Sequence, residues 1–67
     1  MNDRQRRILS FALENGSVTT GWCMETLGVV RDTAHRDLTA LVKLGLLTRL
    51  GSGRNTRYVR KQEEGIA

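Results

Sequence analysis

This sequence is short of the covalent and apolar groups that stabilise most secreted or large proteins. It has 67 residues and one cysteine, Cys23, so no intramolecular disulfide can form. A chain of this length buries only about 60% of its unfolded surface, and its apolar core alone must hold it together. We therefore expect one small domain in a reducing compartment, for which the cytoplasm is the natural location.

Long apolar runs are also absent. The arginine-rich start leads into Ile8 and Leu9, but polar residues follow well before the length of a signal peptide or a membrane span is reached. The interrupting residues are Ser10, Glu14, Asn15 and Gly16. The sequence predicts neither secretion nor a membrane-spanning helix.

The residue sets that carry catalysis are missing too. There is one histidine, His35, and no second residue at metal-ligand spacing from it. The carboxylate pairs are only Asp32 with Asp37 and Glu63 with Glu64, and no glycine-rich phosphate loop is present. A domain this small has little room for a substrate cleft. We expect no enzyme activity, no metal site and no cofactor.

What the sequence does have is positive charge concentrated in its second half. The net charge is +4, and residues 29 to 61 hold eight basic side chains against two acidic ones. Residues 49 to 61 hold five cations and no acid. Such a concentration attracts a polyanion. Charge alone does not decide between this interpretation and a basic surface that serves solubility.

Helix signals account for the first half of the chain. Asn2 or Asp3 can cap a first helix that runs to about Asn15, and Thr19 can cap a second helix of two turns that ends at Gly28. Residues predicted to face inward are Ile8, Leu9, Phe11, Ala12, Leu13, Cys23, Met24 and Leu27. The arginines in the first turn oppose the helix dipole, which leaves phosphate contact or screened surface charge as alternative explanations.

A third helix is predicted from about Arg31 to Leu44, with Gly45 closing it. Its buried stripe centres on Ala34 and includes Val30, Leu38 and Leu41. The exposed face holds Asp32, Thr33, His35, Arg36, Thr39 and Lys43. A short, polar, cationic face of this kind suits the base edges of a DNA major groove. Asp37 lies on the flank, where we expect it to accept a hydrogen bond or ion pair from an arginine.

The last part of the chain predicts a β-hairpin. Residues 46–50 and 56–60 alternate as strands around the turn residues Gly51-Ser52-Gly53. The β-branched pair at 18 and 19 predicts a short third strand at 17–19. We expect the core to contain Ile8, Phe11, Leu38, Leu41, Leu46, Leu47, Leu50 and Val59.

This order of elements resembles a winged helix-turn-helix, a small α+β fold of three helices and a C-terminal hairpin wing. The residues resemble the DeoR-like winged-helix group from about position 4 to position 60. The matching motifs are Arg6-Arg7-Ile8-Leu9, Gly28-Val29 with Arg31, Thr33 and Arg36-Asp37-Leu38, and Leu44-Gly45-Leu46-Leu47. Two residues depart from the group: Val30 stands where a Ser or Thr cap is common, and Trp22 where the group has a polar residue.

The resemblance implies a DNA-binding transcriptional regulator. Helix 31–44 would read bases in the major groove, and the wing at 48–60 would clamp phosphate or the minor groove of double-stranded DNA. The residues expected to bind DNA are Arg31, Thr33, His35, Arg36 and Thr39 on the helix, and Ser52, Arg54, Asn55 and Arg57 on the wing.

Other interpretations remain open at this point. The chain could be a winged-helix protein-interaction or regulatory module, alone or as a fragment of a larger protein, or an architectural DNA-binding protein of a phage or plasmid. Trp22 is either a lid over the core or a contact for a protein partner. Without a heptad seam, two copies would form at most a weak homodimer on DNA. We expect a folded domain over 1–61 and a disordered tail over 62–67.

Overall fold

The computed structural model describes residues 1–61, and the predicted disordered tail at 62–67 lies outside the described residues. Within residues 1–61, three α-helices and three strands follow one another. They are α1 (Asp3–Asn15), β1 (Ser17–Val18), α2 (Thr20–Leu27), α3 (Arg31–Lys43), β2 (Leu47–Leu50) and β3 (Arg57–Arg60). None of these helices is long and apolar enough to cross a membrane. The predicted α+β winged-helix architecture is confirmed.

The boundaries of α1 and α2 agree with the capping signals. The Asn2 side chain accepts a hydrogen bond from the Gln5 backbone at 2.7 Å, while the Gln5 side chain accepts one from the Asn2 backbone at 3.2 Å. Thr19 caps α2 through its hydroxyl, which accepts from the Trp22 backbone at 3.1 Å. Gly16 and Gly28 end the two helices in the left-handed conformation. These capping bonds satisfy backbone N–H donors that the start of a helix leaves without partners.

The two ends of α3 differ. At its start Val30 makes no side-chain capping bond and is 67% exposed, so the prediction that it joins the buried stripe is wrong. Val30 precedes the helix in an extended conformation, and the helical rotation that placed it inward does not apply there. At the other end Gly45 has a φ of 80°, and the Leu46 backbone donates to the Leu41 carbonyl. This is the closing pattern predicted for Gly45.

The sheet has three antiparallel strands in the order β1, β3, β2. The predicted third strand is confirmed but holds only Ser17 and Val18, because Thr19 is used as the cap of α2. Val18 pairs with Tyr58, and Leu50 pairs with Arg57. The hairpin thus becomes part of a sheet whose central strand is β3.

One face of this sheet closes the core against the helices. The fully or nearly buried apolar residues are Ile8, Ala12, Val18, Cys23, Ala34, Leu38, Leu41, Leu47 and Tyr58. Residues paired across antiparallel strands lie on the same face, so Tyr58 faces inward with Val18. Leu50 and Val59 occupy the other face, and Leu50 is 38% exposed.

The prediction of Leu50 and Val59 as core residues is therefore wrong, and Tyr58 takes that place. Leu13 was also predicted to widen the core face of α1, but it is 50% exposed.

Candidate functional site

Helix α3 is held by its apolar side and presents its polar side outward. Ala34, Leu38 and Leu41 are fully buried in the core between α3, the other helices and the sheet. They recur at the three- and four-residue spacing of one helical face. The opposite face is consequently free of packing contacts along much of its length.

Three of the five predicted residues on α3 lie around a shared surface. His35, Arg36 and Thr39 line a shallow concavity together with Ala40 and Lys43. Arg31 and Thr33 lie in the first turn of the helix and do not line this concavity. The concavity is wide open to solvent, which suits an edge or backbone of a large partner better than an enclosed small molecule.

Lys43 belongs to this surface although it was not among the predicted binding residues. It follows Arg36 by seven residues, or two helical turns, and so lies on the same face. That spacing was available in the sequence and could have identified it. The concavity therefore carries cations at both of its ends.

The wing supplies the second group of predicted residues. Its tip is a short 3₁₀ turn over Gly53–Asn55, and Ser52, Arg54 and Asn55 are all exposed there. The tip is ordered by hydrogen bonds from the Asn55 backbone to the Ser52 carbonyl at 3.0 Å and from the Thr56 hydroxyl to the Gly53 carbonyl at 2.9 Å. A side chain on Gly51 would collide with the Asn55 carbonyl, so glycine is needed to close the turn.

Arg57 differs from the tip residues. It pairs with Leu50 on the face of the sheet opposite Val18 and Tyr58, and it is exposed. The structure thus groups Ser52, Arg54 and Asn55 at the tip and leaves Arg57 on the outer face of the strand. No hydrogen bond within residues 1–61 joins the side chains of the tip to those of α3.

The charges of both groups are unneutralised within the described chain. No ion-pair partner lies among residues 1–61 for any of the four arginines Arg31, Arg36, Arg54 and Arg57. Groups of this kind keep their hydration until a partner binds, and they can then form charge-assisted hydrogen bonds with an anion. The arrangement provides cationic donors on a helix face and on a projecting hairpin.

Asp37 is the one charged residue of α3 that lies inside the fold, with 3% of its surface exposed. Arg4 donates to its Oδ2 through Nε at 2.7 Å, and Gln5 donates to its Oδ1 at 3.1 Å. Burial alone would raise the pKa of this carboxyl, but the hydrogen bonds and the Arg4 charge lower the pKa below its ordinary value of 3.8. The predicted internal role of Asp37 is confirmed.

Two neighbouring residues of α2, Trp22 and Cys23, contribute to the core. Trp22 is half-buried and stacks on Phe11, with ring centroids 4.0 Å apart and an angle of 22° between the planes. This favours the interpretation of Trp22 as a lid over the core. Cys23 is fully buried, and desolvation, with the Asp37 charge, raises the pKa of its thiol to about 11. A thiol protonated at neutral pH is a poor nucleophile.

A second, larger concave surface has no catalytic or metal-binding side chains in its lining. It is bordered by Leu9 and Leu13 of α1, Leu46, and the outer sheet residues Leu50 and Val59. Its lining includes Arg60 and Lys61 but no acid, histidine or cysteine. None of the predicted site residues on α3 or the wing lines this surface.

Comparison with known proteins places the same residues in a regulatory family. The family model described as "Transcriptional regulator DIP2311-like, C-terminal domain" matches residues 4–61. A solved structure of a MarR family protein from Bacillus stearothermophilus superposes with a TM-score of 0.75 at 23% identity. That match covers 97% of this chain and 46% of the other, so the chain spans about half the length of this structural relative. No curated protein matches the chain.

Proposed function

This chain belongs to the family of the C-terminal domain of DIP2311-like transcriptional regulators and is a DNA-binding regulatory domain, and we propose that it reads its site with α3 and holds the duplex with the wing. In this proposal Arg36 contacts base edges in the major groove, with Arg31, Thr33, His35 and Thr39 beside it. The wing tip around Arg54 contacts the phosphate backbone or the minor groove.

The observation that carries the proposal is the set of arginines without ion-pair partners in residues 1–61 on these two elements. An arginine on a helix face can form two parallel hydrogen bonds with a guanine edge, which distinguishes one base pair from another. A cation on a projecting turn needs only reach and charge, because phosphates carry no sequence information directly. The two elements therefore divide specificity and affinity between them.

The experiment compares Arg36→Ala with Arg54→Ala on a selected site and on random duplex. The preferred site is first obtained by selection from a random pool. Arg36→Ala should weaken the selected site by about 5- to 150-fold, the worth of one bidentate base contact, and random duplex by much less. Arg54→Ala should weaken both duplexes alike and reduce the slope of log K against log salt by roughly 0.9.

Arg6→Ala is the matched control, because it removes one arginine whose side chain is bonded to Asp3 on α1. Equal losses on every sequence from Arg36→Ala and Arg54→Ala would contradict the assignment of α3 as the reader. Absence of any salt-sensitive binding to random duplex would favour a protein-interaction module instead.

Three finer features belong to the same proposal. The resemblance to the DeoR-like group stays a prediction, since the matching family carries a different description. The match to a transcriptional-regulator family supports a binding role, and it supports a cytoplasmic location, where DNA is reached. A weak homodimer on DNA and a protein partner near Trp22 also stay predictions.

A further inference from the structure

The start of α1 is bonded to the flank of α3 through a small polar network. Arg4 and Gln5 donate to the two oxygens of the buried Asp37 carboxylate. Gln5 is itself held by the reciprocal capping bonds with Asn2. Two hydrogen bonds thus join the first turn of α1 to α3, and two more hold Gln5 within the start of α1.

This network uses only part of the Arg4 side chain. Arg4 bonds Asp37 through Nε, and the side chain stays 43% exposed. A guanidinium has five N–H donors. The bond to Asp37 uses the one on Nε, so the four on the two terminal nitrogens are not used by it. The hydrogen bond and charge of Asp37 raise the pKa of Arg4, so the guanidinium remains charged. Asp37 therefore holds a cation whose outer edge is open to solvent.

The position of this cation follows from helix geometry. Asp37 is one residue, or about 100° of rotation, from Arg36, and Thr33 and Ala40 are its neighbours on the helix surface. Arg4 consequently lies along the flank of the α3 face that carries Arg36. The other ion pair of α1 is different, because Arg6 bonds Asp3 within the same helix and lies about 200° around α1 from Arg4.

We propose that Arg4 is a backbone phosphate contact of this domain and that Asp37 positions it. The inference rests on the proposed function, because it requires α3 to enter the major groove. The major groove is about 12 Å wide and admits one helix, so phosphates of the two strands lie along both flanks of a helix inserted in it. An arginine held along that flank, with its planar edge outward, can donate two parallel hydrogen bonds to a phosphate.

The proposal also explains a feature of α1 that opposes helix stability. Cations in the first turn of a helix are unfavourable to its dipole. Arg4 is nevertheless retained at this turn in contact with Asp37, where its position relative to α3 is fixed. A guanidinium already oriented loses less conformational freedom when it binds a phosphate.

The test compares Arg4→Gln with Arg6→Gln in binding to random duplex over a range of salt concentrations. Both variants remove one charge from the same turn of α1, so their net charges are equal. Arg4→Gln should weaken binding by about fivefold to tenfold and lower the magnitude of the salt slope by up to about 0.9. Arg6→Gln should change binding by less than about twofold.

The double variant Arg4→Gln with Asp37→Asn keeps the net charge of the wild type and avoids leaving a buried carboxylate without its cation. It should show the same loss of affinity as Arg4→Gln, and thermal unfolding of each variant identifies any loss from misfolding. A folded double variant that binds as tightly as the wild type would overturn the inference, as would equal losses from Arg4→Gln and Arg6→Gln.

DNA binding itself fails separately, if the wild-type chain shows no salt-dependent binding to duplex DNA. In that case the Arg4 contact is overturned with it. Wild-type binding that persists unchanged in the folded Arg4→Gln variant removes the Arg4 contact alone.

Discussion

At the scale of single residues, Asp37 shows how one buried carboxylate links two helices. Its folded pKa is lowered, so the stability it contributes is fully present above its unfolded pKa of 3.8 and is lost as the pH falls through the folded value. The hydrogen bonds from Arg4 and Gln5 are made to the charged form. Lowering the pH should therefore weaken this contact between α1 and α3 before the other contacts described for the two helices.

Asp37→Asn tests this directly. At neutral pH the variant should lose about 1–2 kcal/mol of unfolding free energy, because the amide has one acceptor in place of two charged ones. The difference from the wild type should shrink as the pH falls below 3.8. Urea unfolding from about pH 2 to about pH 7 measures both effects.

Asp3→Asn is the control, because Asp3 pairs with Arg6 on the surface with side chains 93% and 67% exposed. Exposed pairs contribute about 0–1 kcal/mol, so this variant should unfold nearly as the wild type does at every pH. A pH profile of Asp37→Asn parallel to that of the wild type would contradict the role given to Asp37.

At the scale of elements, the weak start of α3 contrasts with the capped start of α2. Val30→Ser introduces a hydroxyl where no side chain bonds the first turn, and it removes an exposed valine. It should raise the unfolding free energy by about 1 kcal/mol. Thr19→Ala removes the existing bond to Trp22 and should lower the unfolding free energy by a similar amount.

Thermal unfolding of the two variants measures these opposite changes. In a domain of this size a change of 1 kcal/mol moves the midpoint by about 4–8 °C. If Val30→Ser leaves the midpoint unchanged while Thr19→Ala lowers it, then the start of α3 is limited by something other than its missing cap.

The elements that the sequence predicts well are those with local signals. Asn2, Thr19 and the helix-ending glycines 16, 28 and 45 act within a few residues of themselves, and their roles follow from their chemistry. Arg36, His35 and Thr39 were correctly placed on the exposed face of α3 because helical rotation determines it.

Long-range pairing decides the parts that the sequence misassigned. In β3, Tyr58 and Val59 are both apolar and lie on opposite faces, so alternation alone does not say which is buried. Pairing of Val18 with Tyr58 settles this, because β1 carries its buried valine on the helix side. The Arg4 contact with Asp37 joins residues 33 positions apart, and no local pattern reveals it.

At the scale of the whole molecule, the two concave surfaces are lined by different residues. The concavity on α3 carries His35, Arg36 and Lys43, whereas the larger one is bordered by Leu9, Leu13 and Leu50 and carries Arg60 and Lys61. None of the predicted DNA-binding residues lines the larger concavity, so DNA bound by those residues need not cover it. The chain matches the model of a C-terminal domain and covers 46% of its structural relative. The larger concavity is therefore a surface of a domain about half the length of that relative.

The buried thiol of Cys23 offers a way to measure how often the native structure opens. Cys23 is fully enclosed, and only its thiolate attacks an alkylating reagent. The raised pKa of about 11 keeps the thiolate fraction of the native chain small. Iodoacetamide should therefore modify the native chain more slowly than the urea-unfolded chain by a factor on the order of 10³ or more. Added duplex should slow the modification again, since a bound ligand draws molecules out of the open population. Equal rates in buffer and in urea would mean that the thiol is reached without unfolding.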